Sequence, residues 1–287
     1  MSSNVAALAQ CAARLVRYGA MLAIAPAIAR AQTDYFNLDR GRPLHVQDAV
    51  AIERYALELQ AAPVHWSRGR SGRDVWTVEP ELSWGMMPRT QLGLGVAVIH
   101  VPGVNGLRQI NQTSLHLSAL HALNVESLTL PAFALSAGLD VPFGTFATPR
   151  TYPSVGIALT RTTSIGRLHA NADLGLAESE PAAPDDCGPQ DPLAPHDQSR
   201  WVVGVAVDRA LALRSMLVAA EVLVRRPVIT NSDVEWRAAG GVRWQLDPRW
   251  SLNAGIGRAF GFAREWSVTF GAARSIGLVR LMPGGQR

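Results

Sequence analysis

The sequence predicts an all-β protein, namely a transmembrane antiparallel up-and-down β-barrel of about twelve strands. The first observation is a repeated pattern, since Trp76 to Trp84 and Trp236 to Trp244 each carry a tryptophan at both ends of an alternating segment. Successive side chains of a strand point to opposite faces, so each segment has one apolar face and one polar face. Eight residues of strand span roughly 26 Å, close to the height of an outer-membrane apolar band after tilting.

The second observation is the number and length of segments with this alternation. Their number is even, as in bacterial barrels, and each is about twice as long as an ordinary soluble strand. The predicted strands span approximately residues 53–66, 74–85, 89–101, 112–126, 131–142, 153–164, 166–178, 200–209, 213–226, 234–246, 249–260 and 265–276.

The third observation is that short and long links alternate along the chain. This rhythm predicts tight turns at a periplasmic end and longer loops outside. The longest link, 178–199, is rich in proline and acidic residues at its start, so we expect it to be mobile. The short links are Gly85–Pro88, Ser127–Pro131, Ser164–Gly166, Ala210–Ala212 and Asp247–Arg249.

Residues 1–31 have the pattern of a secretory signal peptide. Arg14 and Arg17 precede an apolar run, and a small-x-small cleavage site follows at Ala29 to Ala31. The run is too short to span a bilayer as a helix, and no later stretch approaches the roughly 18 to 20 apolar residues that a helix needs. We therefore expect export, cleavage before Gln32, and assembly into a bacterial outer membrane by the outer-membrane assembly machinery.

The remaining chain divides into three parts. Residues 32–50 are predicted to be a periplasmic N-terminal segment, and a plug folded into the barrel is the alternative. Residues 51–276 form the barrel, and 277–287 form a C-terminal tail without the terminal aromatic residue that is typical of such barrels. Pro80 lies within the second predicted strand and removes a ladder hydrogen bond, so we expect a bulge there.

Tryptophan placement supports a membrane barrel. The indole ring is apolar and carries one N–H group, which favours the two membrane interfaces. The expected aromatic girdle consists of Trp66, Trp76, Trp84, Trp201, Trp236, Trp244, Trp250 and Trp266.

Composition argues against several other classes of function. The formal charge of +4 falls to +1 when the three arginines of residues 1–31 are removed, so no basic surface for nucleic acid is expected. Only Cys187 then remains, which excludes an intramolecular disulfide. His116 and His121 face opposite sides of one strand, and the glycine pairs lie inside strands. No metal site and no cofactor are therefore predicted.

Strand parity assigns charged residues to the lumen. An acidic wall and an arginine-rich wall are expected to form a constriction with a transverse field. These side chains either pair across a filled interior or line an open pore, because twelve strands lie between the filled and the channel-forming barrels. The lumen-lining residues of this constriction are Glu58, Glu79, Glu81, Arg225, Arg237 and Arg243. The prediction is a channel or transporter for small solutes, and a non-conducting structural or interaction barrel is the alternative.

Two further alternatives are weaker. An outer-membrane lipid acyl hydrolase needs a histidine beside a serine. Ser114, His116 and Ser118 share one strand face, but no His-x-Ser-x-Gly run occurs, so no catalytic residue is predicted. A secreted β-sandwich would also alternate, but its strands are shorter and need no tryptophan at both ends.

The chain resembles the phenol-degradation meta-pathway family of outer-membrane barrels. The likeness rests on Arg42-Pro-Leu, Ala51 to Gln60, Val78 to Gly85 and Met87 to Gln91, and on the strand rhythm of the mature chain. The resemblance implies an outer-membrane transporter or channel for small aromatic or otherwise hydrophobic compounds. It implies no particular site residues.

Overall fold

The computed structural model describes residues 37–68, 74–102, 110–143, 151–177, 198–211, 215–228, 233–260 and 265–277. The predicted signal peptide, residues 178–197 of the longest link and the tail after Gly277 lie outside the described residues. Within the described ranges, no helix is long and apolar enough to cross a membrane.

The described residues form thirteen strands, and these agree with the predicted spans to within a few residues. They are β1 (Ala56–Arg68), β2 (Asp74–Val78), β3 (Glu81–Met87), β4 (Thr90–Val101), β5 (Ile110–Ala122), β6 (Ala132–Phe143), β7 (Tyr152–Thr162), β8 (Arg167–Gly175), β9 (Ser199–Leu211), β10 (Met216–Pro227), β11 (Glu235–Asp247), β12 (Trp250–Phe260) and β13 (Trp266–Gly277).

The strands form one closed antiparallel ring. Apart from β2 and β3, which do not pair with each other, consecutive strands pair along the chain, and β13 pairs with β1 along its whole length. The short strands β2 and β3 share one position, because both lie between β1 and β4. The ring therefore has twelve positions, which confirms the predicted fold class.

The break between β2 and β3 lies at Pro80, where an irregularity was expected. Pro80 has no N–H group to donate, and its carbonyl oxygen accepts from the backbone N–H of Val96 at 3.0 Å. On the neighbouring strand, Gln60 pairs with Glu81 while Val64 pairs with Val78, so β1 carries one extra residue. The bulge predicted at Pro80 thus has its additional residue on β1, because a bulge is a property of the pair of strands.

One turn is longer than expected, because β5 ends at Ala122 and not near residue 126. The side chain of Asn124 accepts from the backbone N–H of Phe133 at 2.9 Å, which replaces a ladder bond. Glu126 accepts from the backbone N–H and the hydroxyl of Thr162, both at 2.7 Å. These side chains end the strand and fix residues 123–131 against β7.

Apolar side chains cover the outside of the ring. Leu135, Ile157 and Ile256 point outwards, and about half of each side chain is exposed. Polar residues of the same strands, among them Thr160 and Asn253, point inwards and are buried. This arrangement is the reverse of a soluble protein and is typical of a barrel whose exterior contacts lipid.

Residues 37–53, which we call the inner segment, lie inside the ring. Leu38, Leu44 and Val46 are buried against the inward side chains of Ala206 and Leu217. The expected periplasmic position of 32–50 therefore does not hold for the described residues of that range. Their apolar side chains leave water, and their backbone N–H groups find partners on the wall.

The two ends of the barrel differ. At the turn end, short links such as 88–89, 163–166 and 248–249 join the strands, and the inner segment enters β1. At the loop end, the links are generally longer. This asymmetry is that of outer-membrane barrels, whose short turns lie in the periplasm.

Candidate functional site

The lumen contains the candidate site, and the inner segment shapes it. One carboxylate of β10, that of Glu221, accepts from the backbone N–H groups of His45 and Val46 at 2.8 Å each. The ring of His45 lies 3.2 Å from the same carboxylate. Two enclosed N–H groups would otherwise lack acceptors, so Glu221 fixes the middle of the inner segment.

Strands β7 and β8 hold the next part of the inner segment. The amide of Asn171 accepts from the backbone N–H of Gln47 at 2.7 Å and donates to its carbonyl oxygen at 2.9 Å. The hydroxyl of Thr160 accepts from the backbone N–H of Ala49 at 2.9 Å. The segment is therefore bound through its backbone by side chains of the wall.

Thr160 belongs to a chain of hydrogen bonds that has the order of a catalytic triad. Its hydroxyl lies 3.0 Å from Nδ1 of His169, and Nε2 of His169 lies 3.0 Å from Asp208. Thr160, His169 and Asp208 are only 3%, 2% and 1% exposed. Since the Thr160 hydroxyl accepts from the backbone of Ala49 and all three side chains are buried, these residues anchor the segment.

Asp48 lies fully buried beside the same anchor. It accepts from the backbone N–H groups of Leu38 and Val50, both at 3.2 Å, and lies 3.6 Å from Arg167. Burial raises the pKa of Asp48 to about 7, against the opposing effect of Arg167 and with a further increase from Asp39. Asp48 is thus a buried acid whose charge changes near neutral pH.

A third group of contacts fixes the start of the inner segment. Arg243, 1% exposed, donates to the carbonyl oxygen of Asn37 at 2.5 Å and to Asp39 at 2.8 Å. Its guanidinium also lies 3.4 Å from Glu58. The predicted acidic and basic walls therefore meet at this point, with Asp39 as an additional partner.

The other predicted lumen residues are also engaged. Glu81 forms an ion pair with Arg42 at 2.8 Å, and Glu79 lies 4.0 Å from His65. Arg225 pairs with Glu235 at 2.6 Å, within the loop end of the wall. Arg237 donates to the hydroxyl of Ser267 at 2.6 Å, and its guanidinium lies 3.2 Å from Nε2 of His45.

These contacts differ from the expected pair of charged walls around one open constriction. Side chains of the inner segment occupy the space between the walls and pair with both of them. Only Glu79 and Glu81 of the six predicted residues line the remaining cavity. Sequence patterns could not indicate this, because the inner segment has no periodic alternation that would have placed it in the lumen.

A cavity of about 280 Å³ remains between the inner segment and the wall of strands β2 to β9. Its volume lies near the lower end of small-molecule sites, which hold roughly 300 to 1,000 Å³. Serine residues from five strands line it. They are Ser83, Ser114, Ser118, Ser136, Ser154 and Ser199.

Two glycines leave space for the polar side chains that line this part of the wall. A Cβ atom on Gly138 would lie 2.7 Å from the hydroxyl oxygen of Ser154, and one on Gly156 would lie 2.7 Å from that of Ser136. Larger residues at these two positions would displace neighbouring polar side chains of the wall, which at Gly156 include that of Asp173. The space beside the inner segment therefore depends on residues without side chains.

The described lining contains six carboxylates, two arginines and two histidines. Arg40 pairs with Asp173 at 2.6 Å, and His116 lies 2.7 Å from Asp140. Within the described lining, every charged side chain lies within 4.0 Å of an opposite one. Ser114, His116 and Ser118, which the alternation places on one face, all line the cavity, and the partner of His116 is a carboxylate of β6.

The eight tryptophans lie near the strand ends. Trp66, Trp76, Trp201, Trp236 and Trp266 lie towards the loop end, and Trp84, Trp244 and Trp250 lie towards the turn end. Trp66 and Trp76 contact each other, with ring centroids 6.5 Å apart. The outward parity of these residues places two aromatic bands at the margins of the apolar surface.

The described residues contain no group of three or more histidine, cysteine, aspartate and glutamate side chains that could hold a metal ion.

Solved outer-membrane barrels have a similar fold. An outer membrane channel from Pseudomonas putida F1 matches 83% of this chain and 100% of its own, with a TM-score of 0.50 and 9% identity. The KdgM porin in complex with disordered oligogalacturonate matches 76% of this chain and 98% of its own, with a TM-score of 0.48 and 8% identity. Outer membrane phospholipase A from Escherichia coli matches 86% of this chain and 98% of its own, with a TM-score of 0.44 and 9% identity.

No family model and no curated protein matches the chain. At 9% identity the likeness to the Pseudomonas putida channel extends to the barrel fold alone.

Proposed function

We propose that this chain is a channel of a bacterial outer membrane that passes small solutes through the cavity beside the inner segment. One observation carries the proposal: a closed ring with an apolar exterior encloses a cavity that its own N-terminal residues do not fill. An apolar exterior requires lipid, and a lumen with hydroxyl and charged groups requires water or a polar solute. The fold likeness to an outer membrane channel supports this reading.

The class of solute follows from the lining. Each carboxylate of the described lining lies within 4.0 Å of an arginine or a histidine, and the serine hydroxyls offer both donors and acceptors. Apolar residues such as Ile99, Leu120 and Val202 complete the lining. We propose an uncharged small solute, which includes the small aromatic compounds that the resemblance to the phenol-degradation meta-pathway family implies.

A non-conducting barrel is the second candidate, and the inner segment favours it by occupying much of the lumen. Catalysis has less support, because the Thr160–His169–Asp208 chain is buried and holds the inner segment. We therefore propose that the protein is not an enzyme.

Single-channel recording of the mature protein in planar bilayers separates the two candidates. We expect a small conductance that becomes more cation-selective in Arg40→Gln, because Asp173 then loses its partner at the cavity. Arg209→Gln is the matched control. It removes the same charge from an exposed position with outward parity on β9.

A wild-type protein that inserts but shows no conductance would favour the non-conducting barrel. An unchanged reversal potential in a conducting Arg40→Gln variant would remove the cavity from the conduction path.

A further inference from the structure

Arg258 lies on the outside of the barrel, close to the loop end of β12. It is exposed, and it shares outward parity with Leu252 and Ile256. The guanidinium carbon lies 4.8 Å from the ring centroid of Trp266 and 5.5 Å from that of Phe260. Two aromatic rings thus hold a cation on a surface that otherwise consists of apolar side chains.

The strand register fixes the height of this cation. Arg258 pairs with Trp266, which pairs with Arg68, so the three residues form one row across β12, β13 and β1. The next outward row towards the turn end consists of Ile256, Val268 and Trp66. The row of Arg258 is therefore the first polar one above the apolar band, where lipid headgroups begin.

The two arginines of this row differ in their partners. Arg68 pairs with Asp74 at 2.8 Å, which neutralises its charge. Among the described residues Arg258 has no carboxylate partner, and its contacts are the two rings. A guanidinium that is stacked on aromatic rings is weakly hydrated and presents a planar fork of donors, which suits a phosphate group.

We propose that Arg258, Trp266 and Phe260 form a binding site for the phosphate group of an outer-leaflet lipid. The proposal rests on the membrane placement in the proposed function. It does not depend on conduction, because the site lies on the outer surface of the barrel. Charge complementarity selects an anionic headgroup, and continuity with the apolar band selects a lipid over a soluble phosphate compound.

The test uses native mass spectrometry of the mature full-length protein in detergent, titrated with lipid A, a glycolipid with two phosphates. We expect Arg258→Gln to lower the affinity about tenfold or more, the loss typical of a charge-assisted hydrogen bond. Arg258→Lys should be intermediate, because it keeps the charge and loses the fork. Arg200→Gln is the control, since it removes an exposed arginine of the same end with inward parity.

Lipid A without its phosphates, which has the same acyl chains, should bind the wild type and Arg258→Gln equally. Equal binding of phosphorylated lipid A by the wild type and by Arg258→Gln or Arg258→Lys would overturn the proposal. Displacement of lipid A by an equal concentration of inorganic phosphate would show that the site binds free phosphate, and it would contradict the proposal that the phosphate group belongs to a lipid.

Heat-modifiable gel mobility identifies folded variants, and Arg258→Lys carries the test if the glutamine variant does not fold. Planar-bilayer conductance is recorded in parallel. If Arg258→Gln binds lipid A more weakly than the wild type and the wild type does not conduct, this inference stands and only the channel function is contradicted.

Discussion

Neighbouring residues of one strand meet different solvents in this protein. Leu135 on β6 points outwards and is 47% exposed, while the next residue, Ser136, lines the cavity. Nothing in either local backbone distinguishes the two positions. The difference arises from the side of the ring on which each Cβ atom lies.

This difference can be measured by placing the same charged residue at both positions. Leu135→Arg should reduce the folded fraction, because an arginine on the lipid face of a barrel costs free energy, up to about 2 to 4 kcal/mol at the bilayer midplane and less towards the interfaces. Ser136→Arg should fold, because its guanidinium enters the cavity. Heat-modifiable gel mobility reports the folded fraction of each variant. Equal tolerance of both substitutions would contradict the assignment of faces.

Residue parity could be predicted from the sequence, but residue partners could not. Alternation alone places Leu135 outside and Ser136 inside, because one face of the strand contacts lipid and the other faces the polar lumen. The pairing of Arg243 with Glu58 and Asp39 joins three distant parts of the chain. Such a contact depends on ring closure and on the inner segment, and neither leaves a periodic trace.

At the level of elements, the inner segment differs from every strand around it. Strands are held by ladders of backbone bonds, whereas the segment is bound by side chains such as Glu221, Asn171 and Thr160. Each anchor accepts from a backbone N–H group, so many inner-segment sequences could satisfy it. This is the physical reason that the sequence left its position open.

The docking of the inner segment should depend on pH through Asp48. The pKa of Asp48 is about 7 in the docked state, against 3.8 for an ordinary aspartate. Because the docked state binds the proton more tightly, the stabilisation is full below about pH 4 and is lost as pH rises through about 7. Hydrogen exchange of residues 37–50, corrected for the intrinsic rate, should show stronger protection at pH 5 than at pH 8.

Two variants isolate this effect. Asp48→Asn should remove most of the pH difference, because its side chain does not ionise. Val46→Cys with Gly204→Cys, in a Cys187→Ser background, should form a disulfide, since a Cβ atom at Gly204 would lie 2.7 Å from Cγ2 of Val46. The oxidised form should lose the pH difference and the reduced form should regain it. Equal protection of the wild type at both pH values would contradict the role of Asp48.

At the level of the whole molecule, export is a condition for the barrel. Apolar side chains cover the exterior of the described ring, so the folded chain requires a bilayer. The arginines and the cleavage pattern of residues 1–31 predict how it leaves the cytoplasm. The described residues do not include this region, so processing remains a prediction.

The mature protein should begin at Gln32. N-terminal mass spectrometry of the membrane-extracted protein should find this end, and Ala29→Leu with Ala31→Leu should accumulate the uncleaved chain in the membrane fraction. A conservative control is Ala29→Ser, which keeps a small residue at the site. Recovery of the intact chain from Met1 in the cytoplasm would contradict export.

The position of the inner segment also has a consequence for the order of assembly. The residues that precede β1 lie within a ring whose last seam joins β1 to β13. Most of their anchors, including Asn171, Asp208, Glu221 and Arg243, belong to strands made later in the chain. We therefore expect the inner segment to serve as a template around which the later strands assemble. The seam between β1 and β13 would then close over a lumen whose buried charges already have their partners.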